Sequence, residues 1–180
     1  MERALLEYGG NAGRGGHQLT TKTSEQVFAA REEAAAFFGG KPENTIFCLN
    51  CTHALNLAIQ GILQPNDHVI ISSLEHNAVL RPVAAMVREQ GIRCSIAPVS
   101  ADDAETVAAF QERIRPDTKA IICTLASNVT GQILPYREIA ALCQANDICM
   151  IADGAQACGT LPVQLSDGMN ILCTAGHKGL

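Results

Sequence analysis

Apolar positions along this chain fall into short runs that are separated by longer amphipathic stretches. Six runs have the length of a buried strand, at 45–49, 68–72, 92–99, 119–125, 148–152 and 170–174. Apolar residues at helical spacing predict five helices, at 24–38, 52–63, 78–89, 102–114 and 135–145. Strands that are apolar throughout and alternate with helices are typical of a parallel sheet covered on both faces. The pattern predicts an α/β fold in three layers, with a mostly parallel sheet between two layers of helices.

The length and composition indicate a globular chain. It has 180 residues, of which 47% are hydrophobic and 17% charged, so one domain over residues 1–180 is expected. The net charge of -5 and the lack of a Lys/Arg-rich run argue against nucleic-acid binding. No apolar stretch approaches the roughly 20 residues that cross a bilayer, and the start MERALLEYGG lacks the pattern of a signal peptide. We therefore expect a cytoplasmic protein that binds no membrane.

The cysteines are expected to be packing residues. There are 8 of them, mostly single within apolar segments, where a thiol behaves as a small buried hydrophobe. Cys48 and Cys51 form a C-x-x-C pair, but no second pair accompanies them at the spacing of a zinc site. No metal site is predicted.

Polar side chains follow five of the predicted strands. They are Thr52, His76, Asn128, Asp153 with Gln156, and His177 with Lys178. Each alone is typical of a helix cap, a turn or a solvated position. Because the carboxyl ends of parallel strands meet at one edge of a sheet, their recurrence there predicts a binding site.

The residue types at this edge match the chemistry of pyridoxal 5'-phosphate. A lysine between glycines on an apolar strand, as Lys178 is, can act as a nucleophile toward an aldehyde. Asp153, at the end of a buried strand, could keep a pyridine nitrogen protonated. The imidazole of His76 can lie against an aromatic ring, and Thr52 at a helix start can offer donors to a phosphate. Asn128 and Gln156 have amides suited to a ring hydroxyl.

The motifs RGGH, CTHALNLAI, EHNAVLRP, SNVTGQ, DGAQA and GHKGL occur in this order from about Gly13 to the last residue. In order and spacing they resemble the class V aminotransferase and cysteine desulfurase family of fold-type I pyridoxal-phosphate enzymes. The resemblance implies that Lys178 forms the Schiff base with the cofactor. It also implies that His76 stacks on the cofactor ring and moves protons, and that Asp153 pairs with the pyridine nitrogen.

The same resemblance assigns the remaining polar residues. It places Gln156 and Asn128 near the ring hydroxyl or the substrate carboxylate, and it places Thr52 and His177 at the phosphate. His17, in RGGH, matches a histidine near the substrate entrance.

Two positions depart from the family pattern. Ala175 stands where relatives have a Ser or Thr that donates to the phosphate, and Thr174 would replace that residue only if the chain were irregular there. Cys51 stands where relatives often have Gly or Thr. A thiol at a helix start could be somewhat acidic, but we expect Cys51 to be a packing residue.

The resemblance also implies that the sequence is an interior fragment. Family members continue into the rest of the large domain and a small domain, which carries the substrate-binding arginine and, in desulfurases, the persulfide-forming cysteine. The chain is therefore expected to be a partial cofactor-binding large domain without the C-terminal small domain.

The function that the resemblance implies is desulfuration of L-cysteine to alanine and an enzyme persulfide, by a homodimer that passes sulfur to an acceptor protein. Selenocysteine lyase, aminotransferase and kynureninase-like reactions use the same cofactor residues and stay open. An inactive fragment is a further alternative. A nucleotide-binding module is disfavoured because GGNAGRGGH follows no predicted strand and lacks phosphate-loop spacing.

Overall fold

The computed structural model describes residues 2–180, which divide into two compact units. The first unit ends at Phe47, and the second spans Cys48–Leu180. Each unit is described separately, and the prediction of one partial cofactor domain over residues 1–180 stays a prediction. None of the described helices is both long enough and apolar enough to span a membrane.

The first unit is helical. It contains α1 (Glu2–Glu7), α2 (Gln18–Phe38) and a short 3-10 helix (Pro42–Asn44). Helix α2 starts six residues before the predicted helix because His17 caps it: Nδ1 accepts a hydrogen bond from the Thr20 amide, at 3.4 Å.

The predicted strand at 45–49 is wrong. This segment has no regular secondary structure and pairs with no strand in the described part of the chain. Its apolar side chains are exposed, Ile46 at 73% and Leu49 at 86%. An apolar run becomes a strand only where a neighbouring strand accepts its backbone hydrogen bonds, and apolarity alone does not supply that neighbour.

The second unit is built around a five-stranded sheet in which every pairing is parallel. Its strands are β1 (His68–Ser72), β2 (Arg93–Ala97), β3 (Thr118–Thr124), β4 (Cys149–Asp153) and β5 (Ile171–Cys173), in the order β2-β1-β3-β4-β5. All five correspond to predicted apolar runs, and the parallel arrangement is confirmed. The order reverses between β1 and β3, so a crevice is expected at their carboxyl ends.

Helix α3 (Cys51–Ile62) precedes β1, and the helices α4 (Asn77–Gln90), α5 (Asp103–Gln111) and α6 (Tyr136–Ala145) connect β1 to β2, β2 to β3 and β3 to β4. A short 3-10 helix (Leu165–Asp167) lies between β4 and β5. Helices α3 and α4 pack together, and their buried side chains share one core with alternate strand residues such as Ile122 and Ile151. The intervening strand residues, such as Ile121 and Met150, are fully buried on the other face, toward which α5 and α6 contribute Phe110 and Ile139. The three-layer α/β fold is confirmed.

Candidate functional site

An open cleft lies at the carboxyl edge of the sheet and, together with the solvent space at its mouth, has a volume of about 430 Å³. It is lined by six of the eight predicted site residues: Thr52, His76, Asn128, Asp153, Gln156 and Lys178. They come from α3, from the start of α4, from the last residue of β4, and from the segments that follow β3, β4 and β5. Convergence at one sheet edge therefore occurs as the sequence predicts. His177 is exposed and does not line the cleft, and His17 lies in the first unit. The predicted roles of these two histidines stay predictions.

Asp153 is the buried acidic group of the cleft, with 4% of its surface exposed. Its Oδ1 accepts hydrogen bonds from the Ala155 amide, at 3.0 Å, and from the Cys51 thiol, at 3.5 Å. Its Oδ2 accepts no hydrogen bond from the described residues and is available to a ligand. These contacts hold the carboxylate in one orientation while leaving one oxygen free.

The amino terminus of α3 forms the second wall. Asn50 caps this helix by accepting a hydrogen bond from the His53 amide at 2.9 Å, so the capping role considered for Thr52 belongs to Asn50. The amides of Cys51 and Thr52 and the Thr52 hydroxyl have no partner among the described residues. Free amides at a helix start, together with the helix dipole, favour an anion such as phosphate.

His76 stands at the start of α4, where its Nδ1 accepts a hydrogen bond from the Ala78 amide at 3.1 Å. Because Nδ1 is an acceptor, the neutral ring carries its proton on Nε2. The side chain is exposed and lines the cleft. The helix start therefore sets both the position and the tautomer of the imidazole.

Asn128 and Gln156 lie in the loops that follow β3 and β4. Asn128 follows Ser127, whose hydroxyl accepts hydrogen bonds from the Val129 and Thr130 amides at 3.3 and 3.2 Å. The side-chain amides of Asn128 and Gln156 make no hydrogen bond to the described residues. Both are exposed at the cleft and can donate to an oxygen of a ligand.

Lys178 lies in a turn just beyond β5, and its backbone amide donates to the Ala175 carbonyl at 3.4 Å. The turn is held by a close backbone approach between two glycines. A Cβ at Gly159 would overlap the Gly179 carbonyl, and a Cβ at Gly179 would overlap the Cys158 carbonyl. Gly159 also has a φ of +82°, which favours glycine. The position of Lys178 thus depends on the absence of two side chains.

Alanine at these glycines is expected to displace the turn that carries Lys178. We expect Gly159→Ala to lower the unfolding free energy by about 1–3 kcal/mol, because it adds backbone strain to an overlap. Gly179→Ala introduces the overlap alone. The matched control is Gly176→Ala, where an added Cβ meets nothing within 4 Å. Urea denaturation of the three variants measures the effect, and equal midpoints would show that the glycine contact does not hold the turn.

The first departure from the family pattern is Ala175, for which Thr174 was the possible replacement. Ala175 is buried, and the buried Thr174 hydroxyl finds no nitrogen or oxygen partner among the described residues. Thr174 does not line the cleft but interacts with the Cys158 thiol, whose pKa burial raises and this contact lowers. Thr174 therefore does not take the place of the missing Ser or Thr.

Cys51 is a buried packing residue, as predicted. Burial is the main cause of the rise in the pKa of its thiol, and the negative charge of Asp153 adds to that rise. The alternative of an acidic thiol at the helix start is wrong, because burial and the neighbouring carboxylate outweigh the helix dipole. The contact with Asp153 was not predicted from the sequence. In the described part of the chain no group of three His, Cys, Asp or Glu side chains is arranged to hold a metal ion.

Sequence analysis missed Glu75, which is buried beside the cleft. The available signal was its position in EHNAVLRP, directly before the candidate histidine and three residues after a buried strand. A carboxyl group in such a loop is ordinarily solvated, so its burial depends on the packing of neighbouring strands.

The whole chain, residues 1–180, matches the sequence profile described as Aminotransferase class-V. A cysteine desulfurase of Serratia proteamaculans (strain 568) is 34% identical over 149 residues, which are 80% of this chain and 37% of that protein. The structure titled SspA in complex with cysteine superposes with a TM-score of 0.86 at 27% identity, covering 99% of this chain and 54% of that one.

A second similar structure is the cystine C-S lyase C-DES with its reaction product cysteine persulfide. Its TM-score is 0.80 at 26% identity, covering 91% of this chain and 45% of that one. Another structure of C-DES has glycine covalently linked to the PLP cofactor. The chain spans well under half the length of the curated relatives that it matches.

Proposed function

Because the chain belongs to the aminotransferase class-V family, we propose that it forms the cofactor-binding part of a pyridoxal-phosphate-dependent cysteine desulfurase. The reaction takes sulfur from L-cysteine and leaves alanine and an enzyme persulfide. One observation carries the proposal: the Lys178 amine and the Asp153 carboxylate, 25 residues apart in sequence, line the same cleft. The similarity to named cysteine desulfurases supports the substrate.

The described residues fit pyridoxal phosphate as a group. Asp153 offers one unpaired carboxylate oxygen inside the cleft, which suits a protonated pyridine nitrogen. The free amides at the start of α3 suit the phosphate. The ammonium group of Lys178 has no ion-pair partner among the described residues and reaches the same space. These residues are therefore complementary to the pyridine nitrogen, the phosphate and the aldehyde of the cofactor.

Each residue then has a specific task. When bound, the cofactor supplies an electron sink for the carbanion formed at the substrate Cα. Lys178 Nζ would hold the cofactor through its aldehyde and would move the proton at the substrate Cα. Asp153 Oδ2 would keep the proton on the pyridine nitrogen. His76 would face the ring, and its Nε2 would exchange protons with the substrate.

The remaining cleft residues orient the two ligands. The Thr52 hydroxyl and amide bind the phosphate. The side-chain amides of Asn128 and Gln156 bind the ring oxygen or the substrate carboxylate. The sulfur acceptor, a homodimeric assembly and a cytoplasmic location belong to this proposal as expectations from the resemblance.

Product analysis with L-cysteine tests the proposal. The full-length enzyme that contains this chain is incubated with pyridoxal phosphate and L-cysteine, and alanine and sulfide are measured, with a thiol reductant to release any persulfide. We expect the two products in equal amounts, and neither without the cofactor. L-alanine in place of L-cysteine is the matched control, because it has no sulfur to lose. Cofactor binding without sulfide would contradict desulfuration and favour another class V reaction.

A further inference from the structure

Glu75 is a buried acidic residue at the carboxyl edge of the sheet, and none of the tasks above uses it. It lies directly before His76, and 8% of its surface is exposed. Its Oε1 accepts hydrogen bonds from the Ser72 hydroxyl and from the Thr124 amide, the latter at 2.7 Å. Ser72 ends β1 and Thr124 ends β3, so one carboxyl oxygen joins the ends of two neighbouring strands.

The joined strand ends lie where the strand order reverses and next to the cleft. Thr124 lines the cleft and pairs in register with Asp153 of β4. The backbone enters α4 immediately after Glu75, with His76 as the capping residue. The Glu75 side chain therefore connects the strand that precedes His76 to the strand beside Asp153.

The charge state of Glu75 follows from its surroundings. Burial raises its pKa to about 8, the hydrogen bonds from Ser72 and Thr124 oppose the rise, and the negative charge of Asp153 adds to it. The other titratable group that faces it is the buried Cys123 thiol of β3, whose pKa burial also raises. Oε2 is buried with no hydrogen-bond partner among the described residues, and ionising a buried carboxyl group is costly when no donor contacts that oxygen.

We propose that Glu75 is a positioning residue of the cofactor cleft, which links the ends of β1 and β3, holds the start of α4 so that His76 faces the cleft, and leaves Asp153 as the cleft's negative charge. This proposal rests on the proposed function, because the tasks of His76 and Asp153 require a bound cofactor. Glu75 itself does not line the cleft.

Ionisation of Glu75 has two measurable consequences. Above about pH 8, a second negative charge appears behind Asp153, and the charge balance of the cleft changes. By linkage, a cofactor that binds a proton at the pyridine nitrogen is sensitive to that charge. Stability is affected as well, because the folded-state pKa lies above the ordinary value of 4.5. The stabilising contribution of Glu75 is complete below about pH 4.5 and is lost as the pH rises through about 8.

Two variants separate the hydrogen bonds from the charge. Glu75→Gln keeps an oxygen that accepts from Ser72 and Thr124 but cannot ionise. Glu75→Met keeps the volume and removes the acceptor, leaving the Thr124 amide without its partner. The matched controls are Glu89→Gln and Glu89→Met, at an exposed position of α4.

The first measurement is urea denaturation without added cofactor, between about pH 5 and pH 9. We expect the midpoint of the unchanged protein to fall, relative to that of Glu75→Gln, as the pH rises to about 8, and then to level off. The Glu89 variants should run parallel to the unchanged protein. A Glu75→Gln curve parallel to the unchanged protein would overturn the charge assignment.

The second measurement is a titration with pyridoxal phosphate, followed by absorbance at several pH values. We expect the bound-cofactor spectrum to change near pH 8 in the unchanged protein and not in Glu75→Gln. Glu75→Met should bind the cofactor roughly 10 to 100 times more weakly than Glu75→Gln, as expected for a lost buried hydrogen bond. Equal affinities of the two variants would overturn the positioning role.

Two results distinguish this proposal from the proposed function. If the unchanged protein binds no pyridoxal phosphate, the proposed function fails, while the urea series still decides the charge of Glu75. If Glu75→Met does not fold, Ser72→Ala takes its place, because it removes one of the two donors to the same oxygen. Weaker cofactor binding by Ser72→Ala supports the positioning role, and unchanged binding contradicts it.

Discussion

Replacing Lys178 with alanine is expected to abolish covalent attachment of pyridoxal phosphate and to reduce the rate of desulfuration about a hundredfold to ten-thousandfold. This range is the usual contribution of a positioned group that transfers protons. The chain has three other lysines, but among the described residues Lys178 is the lysine that lines the cleft. No other cleft residue offers an amine that can bond to an aldehyde.

The covalent bond can be measured directly. Borohydride reduction of the protein with pyridoxal phosphate, followed by mass spectrometry of the peptides, should place one reduced cofactor on Lys178. Lys178→Arg keeps the positive charge and should also show no adduct, because a guanidinium is not a nucleophile under these conditions. Lys119→Ala, at an exposed lysine of β3, is the matched control and should behave as the unchanged protein. An adduct retained by Lys178→Ala would refute the assignment.

Replacing Asp153 with asparagine is expected to produce the second large loss. The substitution keeps the shape and an Oδ1 that can accept from Cys51 and Ala155, but it removes the negative charge. Breaking a buried ion pair by removing one partner costs about 3–5 kcal/mol, or about a hundredfold to several thousandfold in affinity. We expect the affinity for pyridoxal phosphate to fall in this range, because the pyridine nitrogen loses the group that keeps its proton.

The measurement is a titration of the protein with pyridoxal phosphate, together with the rate of alanine formation at saturating cofactor. The rate should stay low at saturation, since an unprotonated ring withdraws electrons less strongly. Asp103→Asn removes an exposed carboxylate from α5 and serves as the control. A variant at position 153 with full rate at saturation would show that the carboxylate binds the cofactor without activating it.

Most of the fold follows from the sequence because the core strands are apolar on both faces. Runs such as 68–72 and 120–125 can be buried only between two layers of helices, and the structure places them there. The run at 45–49 has the same apolar character but no strand beside it, so local composition led to a wrong prediction. The early start of α2 was missed because its first turn depends on a histidine cap rather than on apolar spacing.

The candidate site is predictable to the extent that it follows from the fold. Residues after parallel strands share one edge, so Asp153, Asn128 and Lys178 could be grouped before any coordinates. The thiol contact to Asp153 and the burial of Glu75 could not, because each joins segments far apart in sequence. Nothing in the local pattern around Cys51 or Glu75 specifies such a partner.

The order of apolar and polar residues thus determines the parallel α/β architecture and the types of side chain at its carboxyl edge. Apolar runs become buried strands, and in a parallel sheet the residues that follow each strand lie at the same edge. Three features emerge only from the packed chain: the free oxygen of Asp153, the buried Oε2 of Glu75 that accepts no hydrogen bond from the described residues, and the glycine contact beneath Lys178. Each depends on distances between strands or loops of the sheet, and those distances exist only after the strands have paired.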